Sequence, residues 1–162
     1  MLKSFNPVTD GNTQILVVGT MPGGASLKAG QYYAYRHNHF WQIISVLFNS
    51  GEPFDSYEEK LSVLLKNKIG LWDSLKYCRR KGSLDKDINC AIPNNFALLF
   101  KKRPLIKRIV FNGRAAQKFF TANNPVLEGY EYLLMPSTSP ANASKSFEEK
   151  LALWQQALII KK

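Results

Sequence analysis

The sequence predicts an α/β fold in which four parallel strands are covered by helices on both faces. Three observations carry this expectation. Four short apolar runs have strand character, helical apolar stripes lie between them, and Gly- or Pro-rich breaks close the strands. Parallel neighbours need long crossovers, which the intervening helices supply.

The first strand is Gln14-Ile15-Leu16-Val17-Val18, a short, β-branched run suited to burial on both faces. It ends in the loop Gly19-Thr20-Met21-Pro22-Gly23-Gly24. A helix follows, with Phe40, Ile43, Ile44, Leu47 and Phe48 forming one apolar stripe. Ser56-Tyr57-Glu58-Glu59 is a capping box that opens a helix burying Leu61, Leu64 and Leu65. Ile69-Gly70-Leu71-Trp72 is the second strand, and a long basic loop is expected from there through residue 92. Pro93 to Lys102 reads as a helix with Phe96, Leu99 and Phe100 inward. Arg108-Ile109-Val110-Phe111 is the third strand, Gly113 to Ala122 a helix, and Tyr130 to Met135 the fourth strand. After Pro136-Ser137-Thr138-Ser139-Pro140, a capping box at Ser146-Phe147-Glu148-Glu149 starts the last helix, with Leu151, Trp154 and Leu158 on its apolar face.

At 162 residues the chain is expected to form a single domain, residues 1–162. No apolar run reaches the roughly 18 residues of a membrane span, and Met1-Leu2-Lys3-Ser4 does not read as a secretory leader. A cytoplasmic location, a monomer and no membrane partner are the expectations. Cys78 and Cys90 are the two cysteines, which excludes a disulfide framework and a four-cysteine metal site. With two His and neither HExxH nor CxxC, no metal site is expected. The turn at Gly19 is not GxGxxG and Walker A is absent, so no nucleotide cofactor is expected either.

Charge is the first positive clue. Lys and Arg number 22 against 12 acids. Twelve of those bases lie between residues 76 and 118, where only Asp85 and Asp87 oppose them. The rest of the chain is neutral. Such concentration suggests one cationic face for a polyanion.

In parallel α/β sheets, ligands bind outside the carboxyl ends of the strands. That rule nominates residues 19–38, 73–81, 112–114 and 136–142. The segment from Gly30 to Trp41 is unusually aromatic for a loop. Phe40 and Trp41 suit the core, while Tyr32, Tyr33 and Tyr35 can leave a ring face open to a flat ligand.

Gly19-Thr20-Met21-Pro22-Gly23, Gln31-Tyr32-Tyr33 with Asn38-His39-Phe40-Trp41, and Pro136-Ser137-Thr138-Ser139-Pro140-Ala141-Asn142 together resemble the uracil-DNA glycosylase superfamily. Within it they are most similar to the hypoxanthine-DNA (deoxyinosine) glycosylase family. Leu71-Trp72-Asp73, the Arg80 to Asp85 stretch and Phe111-Asn112-Gly113 look typical of that family too. The resemblance implies a three-layer α/β/α sandwich with a central four-stranded parallel sheet. It also implies a monofunctional DNA glycosylase acting on a deaminated base in base-excision repair, hypoxanthine first and uracil second. In such an enzyme water replaces the base, with no metal and no lysine Schiff base.

The resemblance maps the catalytic carboxamide to Asn38. In most relatives the loop after the first strand supplies an Asp or Asn, where this chain has Thr20 and Met21. Base contacts fall to Gly19, Thr20, Met21, Pro22, Gly23, Tyr33, Phe40, Asp73 and Asn112. Ser137, Thr138, Ser139, Ala141 and Asn142 resemble the motif that grips DNA phosphates, joined by the basic residues Arg79, Arg80 and Lys81 and by Lys101 to Arg103. Ala141, Asn142 and Ala143 stand where relatives insert an apolar wedge.

The chemistry supports these roles and leaves plainer ones open. Breaking an N-glycosidic bond builds negative charge on the departing base, which backbone N–H groups near Thr20, Met21 and Gly23 can meet. Asn38 can orient a water, or cap the helix that begins at Phe40. An ionised Asp73 would accept from N1–H of hypoxanthine or N3–H of uracil; it could instead cap a helix or pair with Arg79 or Arg80. Asn112 reads as a base contact or a turn residue. The residues at 20–21 also favour a second reading, a non-catalytic nucleic-acid-binding module on the same fold.

Overall fold

Alternation along one strand sets the layering. In the computed structural model, which describes residues 1–161, β2 (Ile15–Gly19) is buried along its whole length. Ile15 and Val17 point to one face, Leu16 and Val18 to the other, as the period of two requires. The sheet runs β3 (Ile69–Asp73), β2, β6 (Arg108–Asn112), β7 (Glu131–Met135), all parallel. On one face α2 (Phe40–Phe48), α3 (Tyr57–Lys66) and α6 (Phe147–Leu158) pack over Ile15, Val17, Leu71 and Val110. On the other, α4 (Phe96–Lys102) and α5 (Arg114–Asn123) cover Leu16, Val18, Ile109 and Phe111. This is the expected α/β/α sandwich.

Both predicted capping boxes sit at helix starts. The Ser56 hydroxyl accepts from Glu59 N–H at 3.1 Å, and Ser146 accepts from Glu149 N–H at 3.2 Å. At Ser146 the reciprocal bond is also made.

Three local features depart from the expectation. The short helix α1 (Gly24–Ala29) follows the first-strand loop. Pro93 ends a strand instead of opening a helix; α4 starts at Phe96, capped by Asn95, whose side chain accepts from Leu98 N–H at 3.0 Å. The expected basic loop contains two strands, β4 (Leu75–Arg79) and β5 (Asn89–Pro93), which join β1 (Leu2–Lys3) in an antiparallel sheet ordered β1-β4-β5. Register shifts on either side of Tyr77 break the regular alternation that marks a strand. The partner strand β1 comes from the far end of the chain, so local pattern cannot reveal it. This sheet buries Leu75 and Cys78 against Met21, which anchors the loop after β2.

Gly70 shows how tightly the N-terminal segment lies on β3. A Cβ there would meet the Val8 carbonyl oxygen at 2.7 Å and the Thr9 and Thr13 methyls at 2.9 and 3.0 Å. Gly70→Ala is expected to lower stability by about 1–3 kcal/mol through overpacking, read as a lower thermal unfolding midpoint. An unchanged midpoint would mean that this segment is loosely held.

Candidate active site

The nominated loops meet at the carboxyl ends of the strands. Gly19 pairs with Asp73 across β2 and β3, and Asn112 pairs with Met135 across β6 and β7. Above these ends opens a cleft of about 950 Å³. Its walls include Gly19 to Gly23, Tyr33, Asn38, Asp73, Asn112, Ser137 to Ser139, Ala141 and Asn142, all from the expected site.

At Gly19 the backbone lies against the base of the cleft. A Cβ on Gly19 would stand 2.4 Å from Asp73 Oδ1 and 3.1 Å from the Tyr33 hydroxyl, so only glycine fits between them. Asp73 is 4% exposed and its Oδ2 has no hydrogen-bond partner. Burial raises its pKa, the nearby Asp85 carboxyl adds to the rise, and Arg80 opposes it; the result is about 7. At neutral pH a large share of Asp73 is therefore protonated.

Tyr33 is held at φ +54°, a backbone conformation that a non-glycine residue adopts only when its surroundings impose it. Its ring lies on Phe40 with centroids 4.2 Å apart. Burial raises the Tyr33 phenol, and the neighbouring Asp73 carboxyl adds to it, so the ring stays neutral. Phe40 itself is fully buried and does not line the cleft. Its expected base contact is corrected accordingly: it backs Tyr33 from beneath, because the first turn of α2 points into the core. Below this pair, Tyr32 donates from its hydroxyl to Asn6 C=O at 2.8 Å, and Trp41 Nε1 donates to Tyr32 C=O at 2.8 Å.

Asn38 is half-buried on the cleft wall. Its Oδ1 accepts from Phe40 N–H at 2.9 Å, an Asx turn leading into α2; the cap position itself is His39, which makes no side-chain cap bond, so the helix-capping alternative is not realised. A carbonyl oxygen has a second lone pair, and Asn38 also has an amide donor group, which leaves capacity to hold a water. The adjacent His39 N–H donates to Thr138 C=O at 3.0 Å, tying this loop to the loop after β7.

Asn112 and Thr138 lock together. Asn112 Nδ2 donates to Thr138 Oγ1 at 3.0 Å, and Asn112 Oδ1 accepts from Thr138 N–H at 2.9 Å. Thr138 is fully buried, so its hydroxyl fixes the loop and cannot reach a phosphate. Ser137 and Ser139 each accept a backbone N–H two residues on, shaping a tight turn. Beneath it, the buried Lys150 points its ammonium to Ser139 C=O at 3.5 Å.

The basic residues divide. Arg80 Nη2 donates to Pro22 C=O at 2.6 Å and Nε to Gly82 C=O at 3.0 Å, stapling the loop after β2 to the turn after β4. Arg79 and Lys81 are exposed and lie outside the cleft wall. Lys101 to Arg103 are corrected: α4 starts beside Asp73, where Asn94 Nδ2 donates to Asp73 C=O at 2.8 Å, and runs back along the sheet to the start of β6. Its basic end therefore lies at the opposite pole from the cleft. Sequence position placed these residues near the site; helix direction removes them.

Asp85, which sequence reasoning assigned no role, lines the cleft on the turn Asp85–Asp87 with Ser83 and Lys86. Ser83 Oγ accepts from Gly24 N–H at 2.9 Å. Surrounding protein raises the Asp85 carboxyl, while a hydrogen bond from Thr20 and the charge of Arg80 lower it. Its signals were its place at the end of the Arg80 to Asp85 stretch and its standing, with Asp87, among bases.

The model of the family described as the uracil DNA glycosylase superfamily matches residues 6–158. The chain belongs to the uracil DNA glycosylase superfamily. Two curated proteins named hypoxanthine DNA glycosylase are similar to it. One, from Methanosarcina barkeri, is 34% identical over 96% of each chain. The other, from Methanosarcina acetivorans, is 37% identical over 86% of this chain and 87% of its own. A solution NMR structure from Methanosarcina acetivorans, described as a candidate uracil DNA glycosylase, superposes with a TM-score of 0.81 at 34% identity, covering 96% of this chain and 95% of that one.

Met21 is 7% exposed and packs on Leu75 and Cys78, so it holds the loop after β2 down. Asn38, Asp73 and Asp85 are among the polar side chains that line the cleft. Among the described residues, no helix is long and apolar enough to cross a membrane.

Proposed function

We propose that the chain excises deaminated bases from DNA by hydrolysing the N-glycosidic bond, with hypoxanthine favoured over uracil, as a step of base-excision repair. Superfamily membership and two relatives named hypoxanthine DNA glycosylase support a DNA glycosylase for deaminated bases. The observation that carries the reading is the convergence of Tyr33, Asp73 and Asn38 on one cleft at the strand ends.

A nucleotide turned out of the stack enters that cleft. Its base lies on the Tyr33 ring, an interaction worth about 1–3 kcal/mol. The close backbone at Gly19 brings the base edge to Asp73. Asn38 positions a water for the sugar carbon as the bond to the base lengthens and positive charge grows on the sugar. Such a dissociative step needs positioning more than a strong base. Ser137, Ser139, Ala141 and Asn142, with Arg79 and Lys81 outside the cleft, hold the DNA backbone, so rising salt weakens binding.

A second reading, a binding module without catalysis, draws on the apolar Met21. Incubation with inosine- and uracil-containing oligonucleotides, followed by alkali, separates the two. Strand scission at inosine, faster than at uracil, is the expected result. Tight binding with no scission at either base would favour the module and overturn the proposal.

A further inference from the structure

We propose that Asp73 is the general acid of this excision, delivering its carboxyl proton to N7 of the departing hypoxanthine. The inference rests on the excision reading above and assigns a role that an ionised base-reading carboxylate could not fill.

Geometry carries the assignment. The Asp73 side chain lines the cleft, is almost wholly buried, and has one oxygen with no protein partner. A buried, unpartnered carboxylate is costly as an anion, and protonation removes the cost. The neighbours reinforce this. From the turn after β4, Asp85 repels a negative charge on Asp73. From the loop after α1, Tyr33 faces it as a neutral phenol, and Tyr32, whose hydroxyl donates to Asn6 C=O, lies near enough to feel its charge. Only Arg80 favours the anion, and two of its nitrogens are committed to the carbonyls of Pro22 and Gly82. A base resting on Tyr33 meets Asp73 with its edge, because both side chains crowd the same point at Gly19.

The C1′–N9 bond breaks and its electron pair goes to the purine. The Asp73 proton bonds to N7, so hypoxanthine leaves as a neutral molecule. The oxygen of the water held by Asn38 bonds to C1′, and that water gives up one proton to solvent. Asp73, now a carboxylate in a dry site, regains a proton from solvent. Hypoxanthine can use such help because its imidazole ring carries a basic N7, an acceptor that uracil lacks.

The test is the pH profile of single-turnover excision from inosine-containing DNA at saturating protein. Activity requires the protonated acid, so the rate is expected to hold at low pH and fall tenfold per pH unit above about 7. Asp85→Asn removes the negative neighbour, lowers the Asp73 pKa and moves the falling limb to lower pH. Asp73→Asn keeps the side chain's shape but has no proton to give. Its rate is expected to fall about 10²–10⁴-fold, with the limb gone. DNA carrying 7-deaza-2′-deoxyinosine, which lacks N7, is expected to stay intact. Asp85→Asn alters an exposed residue, so it remains informative if Asp73→Asn does not fold. A limb that Asp85→Asn leaves in place, or cleavage of the 7-deaza substrate at the parental rate, overturns the inference while leaving excision standing. Failure of the unaltered protein to excise either base at any pH overturns the parent reading and this one together.

Discussion

Asn38→Ala is expected to lower the single-turnover excision rate by about 10²–10³-fold, the usual cost of deleting one preorganised hydrogen-bonding group at a reacting centre. The same change removes the Oδ1 that accepts from Phe40 N–H, so the turn leading into α2 loses a hydrogen bond. That loss costs about 1 kcal/mol, small beside the 5–15 kcal/mol that hold a typical domain folded. The variant therefore stays folded under assay conditions, and a thermal scan separates the two effects. DNA binding is expected to persist, since the proposed roles put Asn38 at the reacting centre and the backbone grip at Ser137 to Asn142. Asn38→Asp is the informative companion. It keeps an oxygen for both the turn and the water, so it should retain the unfolding midpoint and more of the rate than Ala does. If Asn38→Ala unfolds earlier by the expected small margin yet excises at the parental rate, Asn38 shapes the turn before α2 and nothing more.

The residues that were legible in the sequence share a physical trait: their roles follow from local order. The strands of the central sheet announce themselves because each is a short apolar run closed by a break, and β2 is apolar on both faces because both faces are covered. The capping boxes read directly because their partners lie three residues apart. The strand-end rule then placed Gly19, Asp73, Asn112 and Ser137 at one rim without any knowledge of side-chain direction.

What stayed hidden depends on contacts remote in sequence. The β1-β4-β5 sheet needs residues 2–3 to find residues 77–78, and no window of local pattern contains both. The pole at which Lys101 to Arg103 emerge depends on which way α4 runs. The fate of Thr138 depends on Asn112, 26 residues away. Asp85 was counted as a charge, and its proximity to Asp73 comes from the turn after β4 folding over the loop after β2. The protonation state of Asp73 is the deepest of these. Its type suggested an acceptor; burial with Asp85 beside it raises its pKa, which is the basis for proposing the same side chain as a donor.

Trp154→Ala is expected to be the most destabilising of these substitutions, at about 3–5 kcal/mol, read from the midpoint of chemical denaturation. Trp154 is fully buried, its ring meets Phe40 edge-on at a centroid distance of 6.0 Å, and its Nε1 donates to Pro136 C=O at 3.0 Å. Two walls of the cleft therefore lean on it. Phe40 carries Tyr33, and Pro136 opens the loop that continues through Ser137 and Thr138. Removing the indole leaves a cavity under the stacking platform and frees the start of that loop. Base excision is thus expected to weaken even below the unfolding transition, because Tyr33 keeps its strained backbone only while its support is rigid. Trp154→Phe isolates the hydrogen bond from the packing. It fills most of the space but leaves the Pro136 carbonyl without its donor, a loss of about 1–3 kcal/mol. Should Trp154→Phe excise as poorly as Trp154→Ala, the loop after β7 governs the cleft. Should it excise nearly as well as the parent protein, the platform beneath Tyr33 does.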